Sequence, residues 1–384
     1  HSPRHSLTMH RILTLAALLV LAAPLAAQEP PRPELPRDAD PNDWAAYYDL
    51  GVRVMSVSTT RSRAAFYWAS RLDPSRAEPL FARWASPFIG DPNLTLHYMT
   101  GDDPTIWRRP DILQSDSMRF RAYLRNPFVH RGMEILLWDQ IPGYFYQTRE
   151  NQAWVAYNEG KLDAASRGFT RLIEANPARS RRVRYWRALT YVTAAKYDSA
   201  LADMSQILAE LRAEEQTRMM AGNDTKEMVE YGIGMLHEAQ GNMPAAREAF
   251  WRALVENAAF SPARAELGRL ALAEGKADSA VMEYAQAVEL SPDDGYLHLQ
   301  HGQALAAAGK HAEALAAFVR ARELEPHYAV VHLHMGVAQE RAGAPADALQ
   351  SYRRYLARAP RSAADQIARV ESRVRALTAA PAAP

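Results

Sequence analysis

From Gly160 to Pro360 the small and aromatic positions of the chain return at a fixed interval. Glycines Gly241, Gly275, Gly309 and Gly343 stand 34 residues apart, alanines Ala246, Ala280, Ala314 and Ala348 follow in step, and Phe250, Tyr284, Phe318 and Tyr352 come four residues after each alanine. A spacing of four puts alanine and aromatic on one face of a helix. A second glycine series, Gly234, Gly268, Gly302 and Gly336, precedes the first, and Pro292, Pro326 and Pro360 close three of the units. Each mark has a mechanical cause in a unit of helix, turn and helix. Glycine ends the first helix because it accepts the left-handed conformation, alanine lets two helices approach, the aromatic fills the space between them, and proline stops the second helix.

Two earlier units keep the pattern with departures. One carries Gly160, Ala165, Phe169 and Pro177, and the other Ala195, Ala200 and Met204 without a closing proline. From Ala195 to Gly241 the step is 46 residues, 12 more than the period. The segment ILAELRAEEQTRMM predicts that the second helix runs on by about three turns at 3.6 residues per turn, so an insertion is placed near 209–224. Further upstream DWAAYYDLGVRVM and SRAAFYWASRLDP read as one more degenerate unit ending at Pro74, whereas 78–143 has no period and reads as a helical insertion or cap. SAADQIARVESRVRAL, after Pro360, has the helical spacing and polar outer face of a terminal cap.

The 34-residue unit, with Leu267 and Gly268 in its first helix, then Ala280, Tyr284 and Pro292, resembles the tetratricopeptide repeat. LGRLALAEGKADSAVMEYAQAVELSP and HGQALAAAGKHAEALAAFVRARELEP match that pattern almost throughout. The resemblance implies an all-α fold, a right-handed superhelical solenoid of antiparallel helix pairs with a C-terminal capping helix. Six units are expected over 144–360, a capping helix over 361–378 and a disordered tail over 379–384, with a degenerate repeat and an aperiodic helical region over 42–143.

Composition changes this picture little. Apolar residues make up 48% and charged residues 23% of 384, with a net charge of +1, which gives no electrostatic mandate for nucleic acid or an anionic membrane. The absence of cysteine excludes disulfides, thiolate metal sites and thiol nucleophiles. The first residues matter more. Residues 1–8 precede Met9 and read as non-native or a misplaced start, and 9–27 read as a signal peptide, with Arg11, an apolar run from Ile12 to Ala23 and small residues Ala26 and Ala27 before Gln28. That run of 12 residues falls short of the roughly 20 that span a bilayer. A periplasmic or secreted protein is expected, with no integral span after cleavage. The mature chain then opens on the proline-rich tether 28–41, PPRPELPRDADP, stiff and non-helical.

Candidate chemistry is sparse. No nucleotide-binding glycine loop, zinc-protease helix or nucleophile elbow is present, so no enzyme and no cofactor are expected. His298, His301, His332 and His334 lie in adjacent units, and since His298 and His332 stand one period apart a packing ladder is preferred to a metal site. His130 and Glu134 share a helix face with Asp139 nearby, the one place where an enzymatic alternative finds residues. ARSRRVRYWR sets Arg179, Arg181, Arg182, Arg184 and Arg187 around Tyr185 and Trp186, which reads as a solvated helix start or a patch for an acidic partner. Asn93 and Asn223 head sequons in form only.

The resemblance directs one face of each first helix into a concave groove. Those positions hold Trp154, Tyr157, Arg182, Tyr185, Leu189, Met228, Tyr231, Met235, Arg269, Tyr296 and Gln303. These are side-chain types enriched in protein interfaces. Some family members grip a C-terminal carboxylate along this groove, but Glu150, Trp154, Trp186, Pro262 and Glu266 occupy those places here, which disfavours that mode. The reading is an exported adaptor that cradles a protein segment or helix, or a component of a cell-envelope or secretion assembly.

Overall fold

A computed structural model describes residues 29–55, 57–85, 126–128, 149–177, 180–215 and 225–379. The regular elements among the described residues are all helices, with no strand among them. The expected signal peptide, residues 380–384, most of the aperiodic region with His130, Glu134 and Asp139, and the sequon asparagines Asn93 and Asn223 lie outside them.

The array begins with α1 (Trp44–Val54), α2 (Thr59–Leu72) and α3 (Ala77–Ala85). Six helix pairs follow: α4 (Arg149–Asn158) with α5 (Leu162–Ala175), α6 (Arg181–Thr193) with α7 (Tyr197–Glu215), α8 (Lys226–Ala239) with α9 (Met243–Glu256), α10 (Ser261–Ala273) with α11 (Ala277–Leu290), α12 (Gly295–Ala307) with α13 (His311–Leu324), and α14 (Ala329–Arg341) with α15 (Pro345–Leu356). A short 3-10 turn, Arg361–Ala363, leads into α16 (Ala364–Ala379). From α1 to α3 and from α4 to α16 each helix packs on the next, which is the solenoid arrangement.

Two glycine roles explain why the period is strict. Gly309 turns the chain from α12 to α13 at φ +76°, and Gly160, Gly241, Gly275 and Gly343 do the same at φ between +73° and +77°. The second unit uses Ala195 at φ 55°, at a conformational cost that a glycine avoids. Gly302, within α12, lies where an added Cβ would meet the Phe318 ring at 2.4 Å, so the α12–α13 crossing is set by the ring pressing on bare backbone. Phe318 and Ala314 are about 1% exposed or less, and the same pairing recurs at Gly234 with Phe250 and at Gly336 with Tyr352. Burying such an aromatic contributes about 1.5–3 kcal/mol.

The pair α1–α2 is built on the same principle, since a Cβ on Gly51 would meet Phe66 at 2.5 Å. Ahead of it, residues 29–36 carry no regular structure and are partly exposed, yet they make specific contacts with α1 and α2. The Arg32 guanidinium stands 4.8 Å above the Trp68 ring and 5.1 Å above Tyr47, and the Trp68 indole donates to the Pro30 carbonyl at 3.0 Å. The expected tether is thus a strap across α1 and α2, because its prolines leave carbonyls and stiff apolar rings to be used without helix formation.

At the other end α16 covers the last pair. Val370 is buried against Tyr352, Tyr355 and Ala359, with Ile367, Val374 and Leu377 beside it, while most of its remaining residues face water.

The extension of the second unit is shorter in its described part than its sequence suggests. Helix α7 has 19 residues where α5, α9, α11 and α13 have 14, so it runs on by five before the description stops at Glu215. Its added turn carries Arg212, whose guanidinium bonds the buried Glu230 of α8 at 3.0 Å.

Candidate functional site

The first-helix face divides into a closed part and an open part. In the closed part Trp154, Tyr185 and Leu189 are buried, Trp154 meeting Trp186 edge to face at 4.5 Å. Phe128 packs against both the Trp154–Leu189 cluster and the Tyr185–Ile233 cluster. Pro127 lies so near Gly232 that a Cβ there would meet its ring at 2.6 Å. A segment of the aperiodic region therefore covers this stretch of the face. Tyr157 is half-buried and its hydroxyl shares a 3.1 Å hydrogen bond with Thr193. Arg182 is exposed, with its guanidinium 4.9 Å above Trp186.

Met228 and Tyr231 are also buried, the Tyr231 ring lying 5.5 Å from Phe250 and 5.6 Å from Phe260. Hence Trp154, Tyr185, Leu189, Met228 and Tyr231, expected on a binding face, are core residues. The physical reason is that adjacent first helices approach closely enough to enclose large side chains between them.

The open part starts at Met235. Met235, Arg269 and Gln303 stand one period apart on α8, α10 and α12, all partly accessible, with Arg269 39% exposed. The same register continues to Val337 on α14, 42% exposed, which the sequence reading missed although the 34-residue step points to it. A polar network underlies this line. Arg269 bonds Glu238 at 2.5 Å and Glu266 at 2.7 Å, and the Tyr231 hydroxyl is hydrogen-bonded to Glu266. Burial pushes the Glu266 carboxyl up despite the neighbouring Arg269 charge. Gln303 is paired with His334 at 2.9 Å, and His334 stacks on Phe318. Tyr296, at the start of α12, has its phenol pKa raised by burial and by the nearby Asp73 carboxylate.

Other candidates are absorbed by structure. Arg181 bonds Glu214 at 2.6 Å, Arg184 bonds Glu210 at 3.4 Å, and Arg187 forks onto Asp203 at 2.6 and 2.9 Å. The acidic side of α7 thus neutralises the basic run, and no bare cationic stripe remains on those three arginines. His298 bonds the Pro292 carbonyl at 2.9 Å, and buried His332 has its pKa lowered to about 4 by desolvation and by Arg358, Arg354 and Arg322. Among the described residues no group of histidine and carboxylate side chains is arranged to hold a metal ion, and no helix is long and apolar enough to cross a membrane. An open cleft of about 710 Å³ lies between α7, α8 and α9, with Leu208 and Ile233 on its walls and Glu230 between Arg212 and Arg252.

The fold defines the class, an all-α solenoid of stacked helix pairs. A family model described as the tetratricopeptide repeat matches residues 231–295 and 299–363, so this part of the chain is built of tetratricopeptide repeats. No curated protein matches the chain. Among solved structures, the C-terminal part of a repeat-containing protein from Cytophaga hutchinsonii is 17% identical, with 58% of this chain and 83% of that one covered at a TM-score of 0.46. MamA is 20% identical over 46% of this chain and 90% of its own, with a TM-score of 0.38. YrrB, described as a repeat protein with an unusual peptide-binding site, is 22% identical over 51% and 94%, with a TM-score of 0.41. Repeats of this family form protein-interaction scaffolds, and this chain carries that architecture.

Proposed function

We propose that the protein is an exported adaptor that binds a protein segment along the open part of its first-helix face, from Met235 to Val337. The observation that carries this reading is the line of Met235, Arg269, Gln303 and Val337, one residue per unit in one register, accessible while its upstream counterparts Trp154 and Leu189 are enclosed. Such a line offers an extended or helical segment an apolar contact at each end and polar contacts between. Arg269 is pre-organised for this by Glu238 and Glu266, so little side-chain freedom is lost when a partner's carbonyl or carboxylate meets its remaining donors.

Export rests on Arg11, the apolar run from Ile12 to Ala23 and the small residues before Gln28. N-terminal sequencing of material recovered outside the cytoplasm is expected to start at Gln28, and a start that retains Arg11 overturns this part. Partner capture from the cell envelope, read by mass spectrometry and repeated with Val337→Asp, tests the binding face. A partner retained equally by both proteins overturns it.

A further inference from the structure

The side of the repeats turned away from Met235 carries both a cavity and a projecting ring. The cleft of about 710 Å³ between α7 and α9 is floored by α8, through Glu230, Ile233 and His237. These stand three and four residues apart, on the side of the helix opposite Met235. Buried Leu208 and Ile233 make the floor apolar, while Ala209 and Ala213, one turn apart on α7, keep one wall low. Two guanidiniums are fixed in the same cleft. Buried Glu230 accepts from Arg212 at 3.0 Å with one carboxylate oxygen and from Arg252 at 2.8 Å with the other.

An apolar floor beside held guanidiniums is a seat for an aromatic ring. Each guanidinium offers its planar face to a π-system, and the carboxylate has already removed much of its side-chain freedom. The protein uses the same pairing internally, where Arg182 lies 4.9 Å above Trp186 and Arg32 lies 4.8 Å above Trp68.

The chain presents such a ring at the rim of its own cleft. Trp251 directly precedes Arg252 on α9 and is 47% exposed, and Val255, one turn on, is more exposed still. Spacings of three and four put Glu248, Trp251 and Val255 on one outward stripe. Tryptophan has a large apolar area, and where it projects from a surface it is the side-chain type most often found to anchor an interface.

We propose that this face is a homodimer contact, in which Trp251 of each copy seats in the α7–α9 cleft of the other, between Arg212 and Arg252. Ring and cleft are neighbours on one surface, so a two-fold axis lying along that surface between them brings both pairs together at once and closes the assembly. Charge supports a second copy as the occupant. Glu248 is largely exposed on the stripe that carries Trp251, and it brings a carboxylate to a rim where Arg212 is half-exposed. Second helices form the outer face of the solenoid, so two such faces touch over a short stretch and the dimer is weak. The line from Met235 to Val337 projects from the other side of the first helices and stays clear, so the dimer holds out two open faces and binds a repeated partner with avidity.

The test uses the purified full chain and needs no other protein. Sedimentation velocity is run from about 1 to 200 μM, the range in which a weak homodimer populates. The wild type is expected to move from monomer to dimer mass across that range. Trp251→Ala removes the ring and Ala209→Trp fills the cleft, and each is expected to raise the dissociation constant at least tenfold while leaving the denaturation midpoint of the monomer in place. A wild type that stays monomeric throughout overturns the proposal, and so does a dimer that survives either substitution. A benzophenone side chain in place of Trp251 tests the seating without relying on loss of association. In a mixture of isotope-labelled and unlabelled chains, light is expected to link position 251 of one copy to 201–213 of the other. Links between copies that fall only elsewhere overturn the seating.

Discussion

The guanidinium of Arg71 meets the carboxylate of Glu325 at 3.2 Å across 254 residues of chain, and water is almost wholly excluded from both. Removal of one member of such a pair typically costs about 3–5 kcal/mol, because the other charge stays buried alone. Arg71→Ala should therefore weaken the docking of residues 29–76 on the last two units. The denaturation midpoint is expected to fall in Arg71→Ala, whereas Arg71→Met with Glu325→Leu, apolar and of similar size, should keep residues 29–76 docked. Limited proteolysis near Leu72 checks this: rapid cleavage in the single variant, slow cleavage in the double.

Ala314 is fully buried beneath the α12–α13 crossing, and Gly302 lies under the Phe318 ring. Replacement of Ala314 by Leu, or Gly302 by Val, should overpack this crossing and destabilise the protein by about 1–3 kcal/mol. Urea denaturation followed by circular dichroism measures the loss. No shift in either variant contradicts the assigned register.

The period at Gly241, Gly275, Gly309 and Gly343 was legible because each glycine answers a local demand, a left-handed turn that a Cβ resists. The binding face was less legible. Tyr231 and Val337 both belong to first helices, yet Tyr231 is 7% exposed and Val337 42% exposed. Side-chain type pointed to the tyrosine, while accessibility depends on how closely neighbouring helices approach, a tertiary quantity. The docking of α2 on the loop before α14 was not legible at all, since Arg71 and Glu325 belong to units that share no local signal. Pro127 and Phe128 escaped notice for the same reason, having no period to mark them.

Acid should weaken the fold through His332. Its ordinary pKa of 6.5 is lowered to about 4 in the folded protein by burial and by Arg358, Arg354 and Arg322. The unfolded chain thus binds the proton more readily, so the neutral ring contributes stability above about pH 6.5 that is lost as pH falls toward 4. His334 and His301, also lowered by burial, add in the same direction. Replacement of His332 by Gln should flatten the fall in denaturation midpoint between pH 6.5 and 4. A slope equal to that of the wild type assigns the acid sensitivity to other groups.

Core and binding face are separable by one comparison. Tyr231 touches Phe250 and Phe260 and bonds Glu266, so Tyr231→Ala should cost about 3–5 kcal/mol of stability as an aromatic truncation in a packed site. Any binding it loses should follow that loss of fold. Val337 has much of its side chain in water, and Val337→Asp should leave the denaturation midpoint within about 0.5 kcal/mol, as exposed substitutions usually do. A charge placed where a partner's apolar group docks should nevertheless weaken capture by about 2 kcal/mol, or roughly thirtyfold. Calorimetry of the captured segment against both variants, beside their denaturation curves, reads the two effects apart. If Val337→Asp binds as the wild type does while Tyr231→Ala loses binding and stability together, the segment does not lie along the Met235 to Val337 line, and the cleft walled by α7 and α9 becomes the place to probe next.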